Sequence, residues 1–267
     1  MRSFGYYILS LLTSVLVVVS IVVLLSKGSI VKNILTFDLG LSLIYGKSNL
    51  AIAYRAACFS LDLAFRVVLL TLTFGLILGF CSFYYKNLEY CIDILSSVFR
   101  SIPSFILAGL MQLFFANYLR ILPTARYNNF YGTIMPTLSL SITPIFIVAK
   151  IFKSSLTESY NSKYVILAKM KGLTFKEIFF RHMLRNSLSS VVAYIGRLGS
   201  YLVTGTLFIE RIFLIPGLGS RFIEALEMND FTLLFTISII YSFVSVSSIY
   251  LSKFVNGFLD PRSREEI

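Results

Sequence analysis

Six stretches of this chain are apolar over about the length that a helix needs to cross a bilayer, which leaves few folds open. A hydrocarbon core is about 30 Å thick and a helix rises about 1.5 Å per residue, so a spanning helix takes about 20 mostly apolar residues. Five stretches, 3–26, 67–85, 101–119, 127–149 and 231–252, hold no charged residue. The sixth, 186–209, holds one, Arg197, among apolar or small neighbours. The fold class expected is an all-α integral membrane protein with six transmembrane helices. The first stretch is longer than a secretory signal core and has no A-x-A-like site after it, so an uncleaved anchor is expected. Composition agrees: 57% of the 267 residues are hydrophobic and 14% charged, against about 25% charged in a soluble domain. Such a chain cannot build a water-facing surface.

Cytoplasmic loops near membrane ends are enriched in Lys and Arg. From Lys150 to Arg185, between the fourth and fifth stretches, eight Lys and Arg face only Glu158 and Glu177. That loop is expected in the cytoplasm, and after six crossings both termini share its side. Arg2, Lys253, Arg262 and Arg264 agree, whereas Lys27, Lys32, Lys47 and Arg55, on the opposite side, run against the rule. The net charge of +11 has no RNA- or DNA-reading motif around it, so anionic membrane lipid is the expected partner and nucleic acid is not. Cys58, Cys81 and Cys91 show no C-x-x-C spacing, and no metal site or cofactor is expected.

The cytoplasmic loop carries the punctuation of two short helices joined by a turn. Tyr160, Tyr164, Leu167 and Ala168 fall on one helical face, and Gly172 supplies a left-handed helix end. Thr174 and Glu177 have capping-box spacing and start a second helix with an apolar stripe of Phe175, Ile178, Phe179 and Met183. Glu177, Arg181 and Arg185 are spaced for i,i+4 pairing. The pattern alone fits a docking element or an amphipathic hairpin on anionic lipid.

A family resemblance favours docking. Residues 164–186, with Ala168 and Gly172 in the first half and Arg181-His182 and Leu184-Arg185-Asn186 in the second, resemble the cytoplasmic coupling loop of peptide/nickel-type ABC permeases. Other landmarks of that family follow in order: Phe37-Asp38-Leu39-Gly40 with Ser42, Ser101-Ile102-Pro103-Ser104-Phe105, Leu122-Pro123, Met135-Pro136, Pro216-Gly217-Leu218-Gly219 and Asp260-Pro261-Arg262. The last two resemble the first of two paired permeases. Ser189 and Ser190 depart from the pattern, which has a proline near this point, and the extracytoplasmic segment after the first helix is short for the family. The resemblance implies a type I ABC importer permease fold. It divides the chain into 1–58 (first helix and extracytoplasmic segment), 59–254 (core, with coupling loop 150–185) and 255–267 (cytoplasmic tail). It also implies a second permease subunit, two ABC ATPase subunits and an extracytoplasmic solute-binding protein as partners. Tyr164, Ala168, Lys169, Lys171, Gly172 and Arg181 are implied in ATPase coupling. Peptide is the expected cargo, with nickel or a metal chelate the alternative.

No ATPase chemistry is expected in this chain. Gly46-Lys47-Ser48 resembles the end of a phosphate-binding loop, but Gly40 stands six residues before Gly46 where that motif needs five. An intramembrane protease using Ser220 and His182 is disfavoured because the expected topology puts them on opposite faces. A stand-alone secondary transporter usually shows repeats and several buried ionisable residues. Within the membrane, Gly75 and Gly79 form a G-x-x-x-G pair expected to serve helix packing and subunit assembly. Arg197 is expected to line the translocation path near Asp62 or Arg66, or to form a structural ion pair.

Overall fold

The computed structural model describes residues 2–25, 39–124, 127 and 130–259. Phe37, Asp38 and the Asp260-Pro261-Arg262 element lie outside the described residues, as do Lys27, Lys32 and most of the expected tail. Every regular element among the described residues is helical. They are α1 (Arg2–Leu25), α2 (Asn49–Tyr84), α3 (Lys86–Ser101), α4 (Ser104–Met111, continued as a π-helix over Gln112–Tyr118) and α5 (Phe130–Tyr160). Then come α6 (Lys163–Met170), α7 (Phe175–Ile178, continued as a π-helical turn over Phe179–Met183), α8 (Leu184–Ile212), α9 (Leu218–Glu227) and α10 (Phe231–Leu259). The all-α membrane fold expected from the apolar runs is present. Four helices, α1, α2, α5 and α10, are each long and apolar enough to span a bilayer, and α3 with α4 qualify as one bent pair. At 29 residues α8 matches α10 in length but is more polar.

Two expected spans differ in outline. The second helix starts at Asn49, well before residue 67, and runs through Arg55, Asp62 and Arg66. These charges end the apolar run without ending the helix, because Arg is a good helix former and one Asp costs little within so long a helix. The third expected span, 101–119, is broken near its start: α3 and α4 meet at a 97° bend. Pro103 is the reason. The residue before a proline is pushed out of the helical region, and Ile102 has φ −95° and ψ 117°.

The chain forms two compact units, 1–65 with 104–139 and 199–248, and 66–103 with 140–198 and 249–267. The core of the first gathers small residues of α2, Ala53, Ala56 and Ala57, against Leu218 and Ala225 of α9 and Leu233, Leu234 and Ile237 of α10. The core of the second joins Val148, Phe152 and Leu156 of α5 to Val165 and Ala168 of α6 and to Ile178, Phe179 and Met183. Before α2, an isolated bridge pairs Leu41 with Ser48. Gly46 there has φ +60°, a conformation glycine adopts without a Cβ penalty, and its N–H donates to Ser42 O at 2.9 Å. Gly46-Lys47-Ser48 is thus a tight turn leading into α2.

Candidate functional site

The turn between α6 and α7 is specified by backbone hydrogen bonds. Gly172 has φ +78°. Its N–H donates to Lys169 O at 3.0 Å and that of Leu173 to Ala168 O at 3.3 Å, the pair of bonds that defines a Schellman helix end. The next residue, Thr174, opens α7 with a complete capping box: its hydroxyl accepts from Glu177 N–H, and Glu177 Oε2 accepts from Thr174 N–H at 2.9 Å. The Thr174 N–H and hydroxyl on its carboxylate, together with the nearby Arg181 charge, hold Glu177 below its ordinary value.

This hairpin has two faces. Inward, Val165, Ala168, Ile178, Phe179 and Met183 are buried, and rings fasten it to α2, with Phe80 to Phe179 at 5.1 Å and Tyr84 to Phe175 at 5.8 Å. Outward, Leu167, Met170 and Phe180 stand exposed beside Lys171, Lys176 and Arg181. The single face expected for Tyr160, Tyr164, Leu167 and Ala168 is corrected here. Ala168 is only 5% exposed and packs inward. Leu167 does not share its face, because Val165 rather than Leu167 lies one turn back on the buried side. Tyr160 ends α5 rather than belonging to α6, and its ring carries Lys169 Nζ at 3.3 Å from its centroid. Tyr164 is exposed, and its hydroxyl accepts from Asn186 Nδ2 only at a long 3.4 Å.

Gly75 and Gly79 serve a contact inside this chain. A Cβ on Gly75 would lie 2.7 Å from Val148 Cγ1, and one on Gly79 would lie 2.7 Å from the backbone oxygen of Ala149. The pair therefore lets α2 approach α5 of the same subunit.

The residues expected on a translocation path fall in separate units. Asp62 belongs to the first and accepts from Tyr127 Oη at 2.7 Å. Arg66 and Arg197 belong to the second. Arg197 is exposed and stands on the wall of an open cavity of ≈ 410 Å³ with Arg100 and Lys150. An arginine at a helix centre costs at least about 2.5 kcal/mol on insertion scales, so this polar cavity suits its place midway along α8.

Two buried carboxylates order the first unit. Glu210, near the end of α8, is fully buried. Its Oε1 accepts from Ser60 Oγ at 2.6 Å, and its Oε2 from the N–H groups of Gly219 at 2.7 Å and Ser220 at 3.1 Å. Ser60 Oγ in turn accepts from Leu218 N–H at 2.8 Å. The carboxylate thereby sits at the N-terminus of α9, where unpaired amides and the helix dipole favour an anion. A Cβ on Gly217 would come within 2.4 Å of it, which is why Pro216-Gly217-Leu218-Gly219 needs its first glycine. Asp230 opens α10: Oδ1 accepts from Leu233 N–H and Thr232 Oγ1, and Oδ2 from Ser42 Oγ at 2.7 Å and Leu43 N–H at 2.8 Å. Burial alone would raise the Asp230 carboxyl, but these hydrogen bonds outweigh it and hold it below its ordinary value.

These features carry no nucleophile, base or phosphate loop; they hold helices, turns and a charged cavity in place. The family described as binding-protein-dependent transport system inner membrane component matches residues 71–265. This chain belongs to that permease family. It is similar to the dipeptide transport system permease protein DppB of Lactococcus lactis subsp. cremoris (strain MG1363), 33% identical over 238 residues that cover 88% of this chain and 78% of the relative. The protein of the same name from Bacillus subtilis (strain 168) is 32% identical over 86% of this chain and 76% of its own length. The oligopeptide transport system permease protein OppB of Haemophilus influenzae is 31% identical over 61% of this chain and 54% of its own. As a member of that family the permease is a multi-pass inner-membrane component of an importer, non-catalytic in itself. Its matched region contains the α6–α7 hairpin, the Arg197 cavity, and Glu210 with its Gly219 and Ser220 donors but not Ser60. Glu210, Asp230 and Arg100 escaped the sequence reading. The legible sign was only that an acid precedes Pro216-Gly217 and another precedes the last apolar run.

Proposed function

We propose that this permease forms half of a peptide translocation path and takes its energy from ATPase subunits docked on the α6–α7 hairpin. The observation that carries this reading is the hairpin itself. Its turn is fixed by a Schellman end running straight into a capping box, its inner face is riveted to α2 and α5 by aliphatic and aromatic packing, and its outer face offers exposed apolar and cationic side chains. A rigid element of this kind passes a push from a docked protein into the spanning helices. Lys171, Gly172 and Arg181 serve the docking, with Tyr164 at its edge, while Ala168 and Lys169 hold the hairpin's shape. In this reading α8 is the sixth crossing, both termini and the hairpin face the cytoplasm, and the 39–48 turn faces the solute-binding protein. The partners are a second permease subunit, two ATPases and that binding protein. Peptide is the cargo because the relatives covering most of this chain are named for dipeptides.

Reconstitution tests this directly. Vesicles holding the permease pair without ATPases are expected to show no uptake of a labelled dipeptide above background, and the complete set to accumulate it in the presence of ATP and the binding protein. Uptake by the permeases alone would make this a secondary transporter.

A further inference from the structure

Helices α3, α5 and α8 wall the ≈ 410 Å³ cavity, whose lining includes Ser96, Ser97 and Arg100 from α3, Lys150 from α5, and Tyr194 and Arg197 from α8. Every charged residue lining it is cationic. Lys150 Nζ lies 2.8 Å from Asp93 Oδ1, so that charge already has its counterion. Arg100 and Arg197 are exposed, and neither makes a hydrogen bond or ion pair with a described residue. Two uncompensated guanidinium groups on one cavity repel each other, and an anion held between them relieves both. The guanidinium fork matches the two oxygens of a carboxylate.

We propose that Arg100 and Arg197 bind the C-terminal carboxylate of a peptide in transit. This rests on the peptide-permease reading above and gives that path a recognition point. A permease passing peptides of varied sequence can rely only on what they share, namely backbone and charged ends, and a cationic pair answers the acidic end. The openness of the cavity keeps the interaction screened by water, so that a bound peptide can leave. A lipid phosphate would satisfy the same arginines, and the test separates the two.

The complete importer is reconstituted and given labelled dialanine or dialanine amide, and the ratio of their uptake rates is compared between wild type, Arg100→Gln and Arg197→Gln. The binding protein is the same throughout, so its own selectivity cancels. Each substitution is expected to lower the acid-to-amide ratio at least about tenfold, the factor that 1.4 kcal/mol makes, and Arg197→Lys to restore part of it. Protection of the purified complex against thermal unfolding by millimolar dialanine, present in wild type and lost in Arg197→Gln, supplies a second readout that needs no uptake. A fall in both rates at constant ratio, with protection retained, overturns the proposal and leaves the arginines a structural role. A defect seen in phosphatidylglycerol vesicles but absent in pure phosphatidylcholine assigns the site to lipid and overturns it also. Failure of the wild-type importer to take up either compound refutes the peptide reading itself, and this inference falls with it.

Discussion

Glu210→Ala is expected to leave less than about a tenth of the wild-type amount of folded permease recoverable from membranes, since buried and part-buried donors lose their acceptor at about 1–3 kcal/mol each. Those donors include the N–H groups of Gly219 and Ser220 and the hydroxyl of Ser60. The sum is a large part of the 5–15 kcal/mol or so that holds a typical protein folded. The loss is local in origin, because the carboxylate ties together α2, the end of α8 and the start of α9. Glu210→Gln keeps the shape and one acceptor oxygen but turns an NH₂ group toward amide donors, so intermediate recovery is expected. Quantitative recovery of detergent-solubilised Glu210→Ala with an unchanged unfolding temperature would show that the knot is dispensable.

Gly79→Leu is expected to remove the folded chain as thoroughly, for a steric reason. Overpacking a filled interface typically costs about 1–3 kcal/mol and more where the obstacle cannot move. Here the obstacle is the Ala149 backbone, 2.7 Å from where even the first added carbon would sit. Gly79→Ala is expected to lower the unfolding temperature measurably, while Gly109→Ala on α4, where an added Cβ meets nothing within 4 Å, is expected to have no effect on this chain's folding. Recovery of folded Gly79→Leu that merely failed to join its partner permease would instead favour the assembly role that the G-x-x-x-G spacing suggests.

What the sequence made legible was local, and what it hid was distant. Gly172 and the Thr174-x-x-Glu177 spacing predict their turn because every bond in it joins residues no more than five apart. Glu210 could not be read in that way: Ser60 lies 150 positions from it, and Ser42 lies 188 from Asp230. The apolar runs located the spans because bilayer thickness imposes a length on them, but they misplaced the edges wherever charge and helix part company, as at Arg55 and Asp62. The α3–α4 break had a visible cause in Pro103, overridden by the uncharged run around it. Helix periodicity failed for Leu167 because it was counted across Tyr160, through the helix break at Asn161 and Ser162.

Coupling through the hairpin is tested most directly by a series at Gly172, whose side-chain space is empty and whose backbone is left-handed. Asparagine tolerates that conformation, alanine less so, and a β-branched valine strongly resists it. All three substitutions are expected to yield folded permease, since an added Cβ meets nothing within 4 Å. The measurement is ATP hydrolysis by the reconstituted complex with and without binding protein and peptide, corrected for the ATPase retained on each variant. The predicted result is stimulation close to wild type for Gly172→Asn, reduced for Gly172→Ala, and lost for Gly172→Val together with most of the bound ATPase. Full stimulation and full ATPase retention in Gly172→Val would contradict the docking role and return the hairpin to the lipid surface.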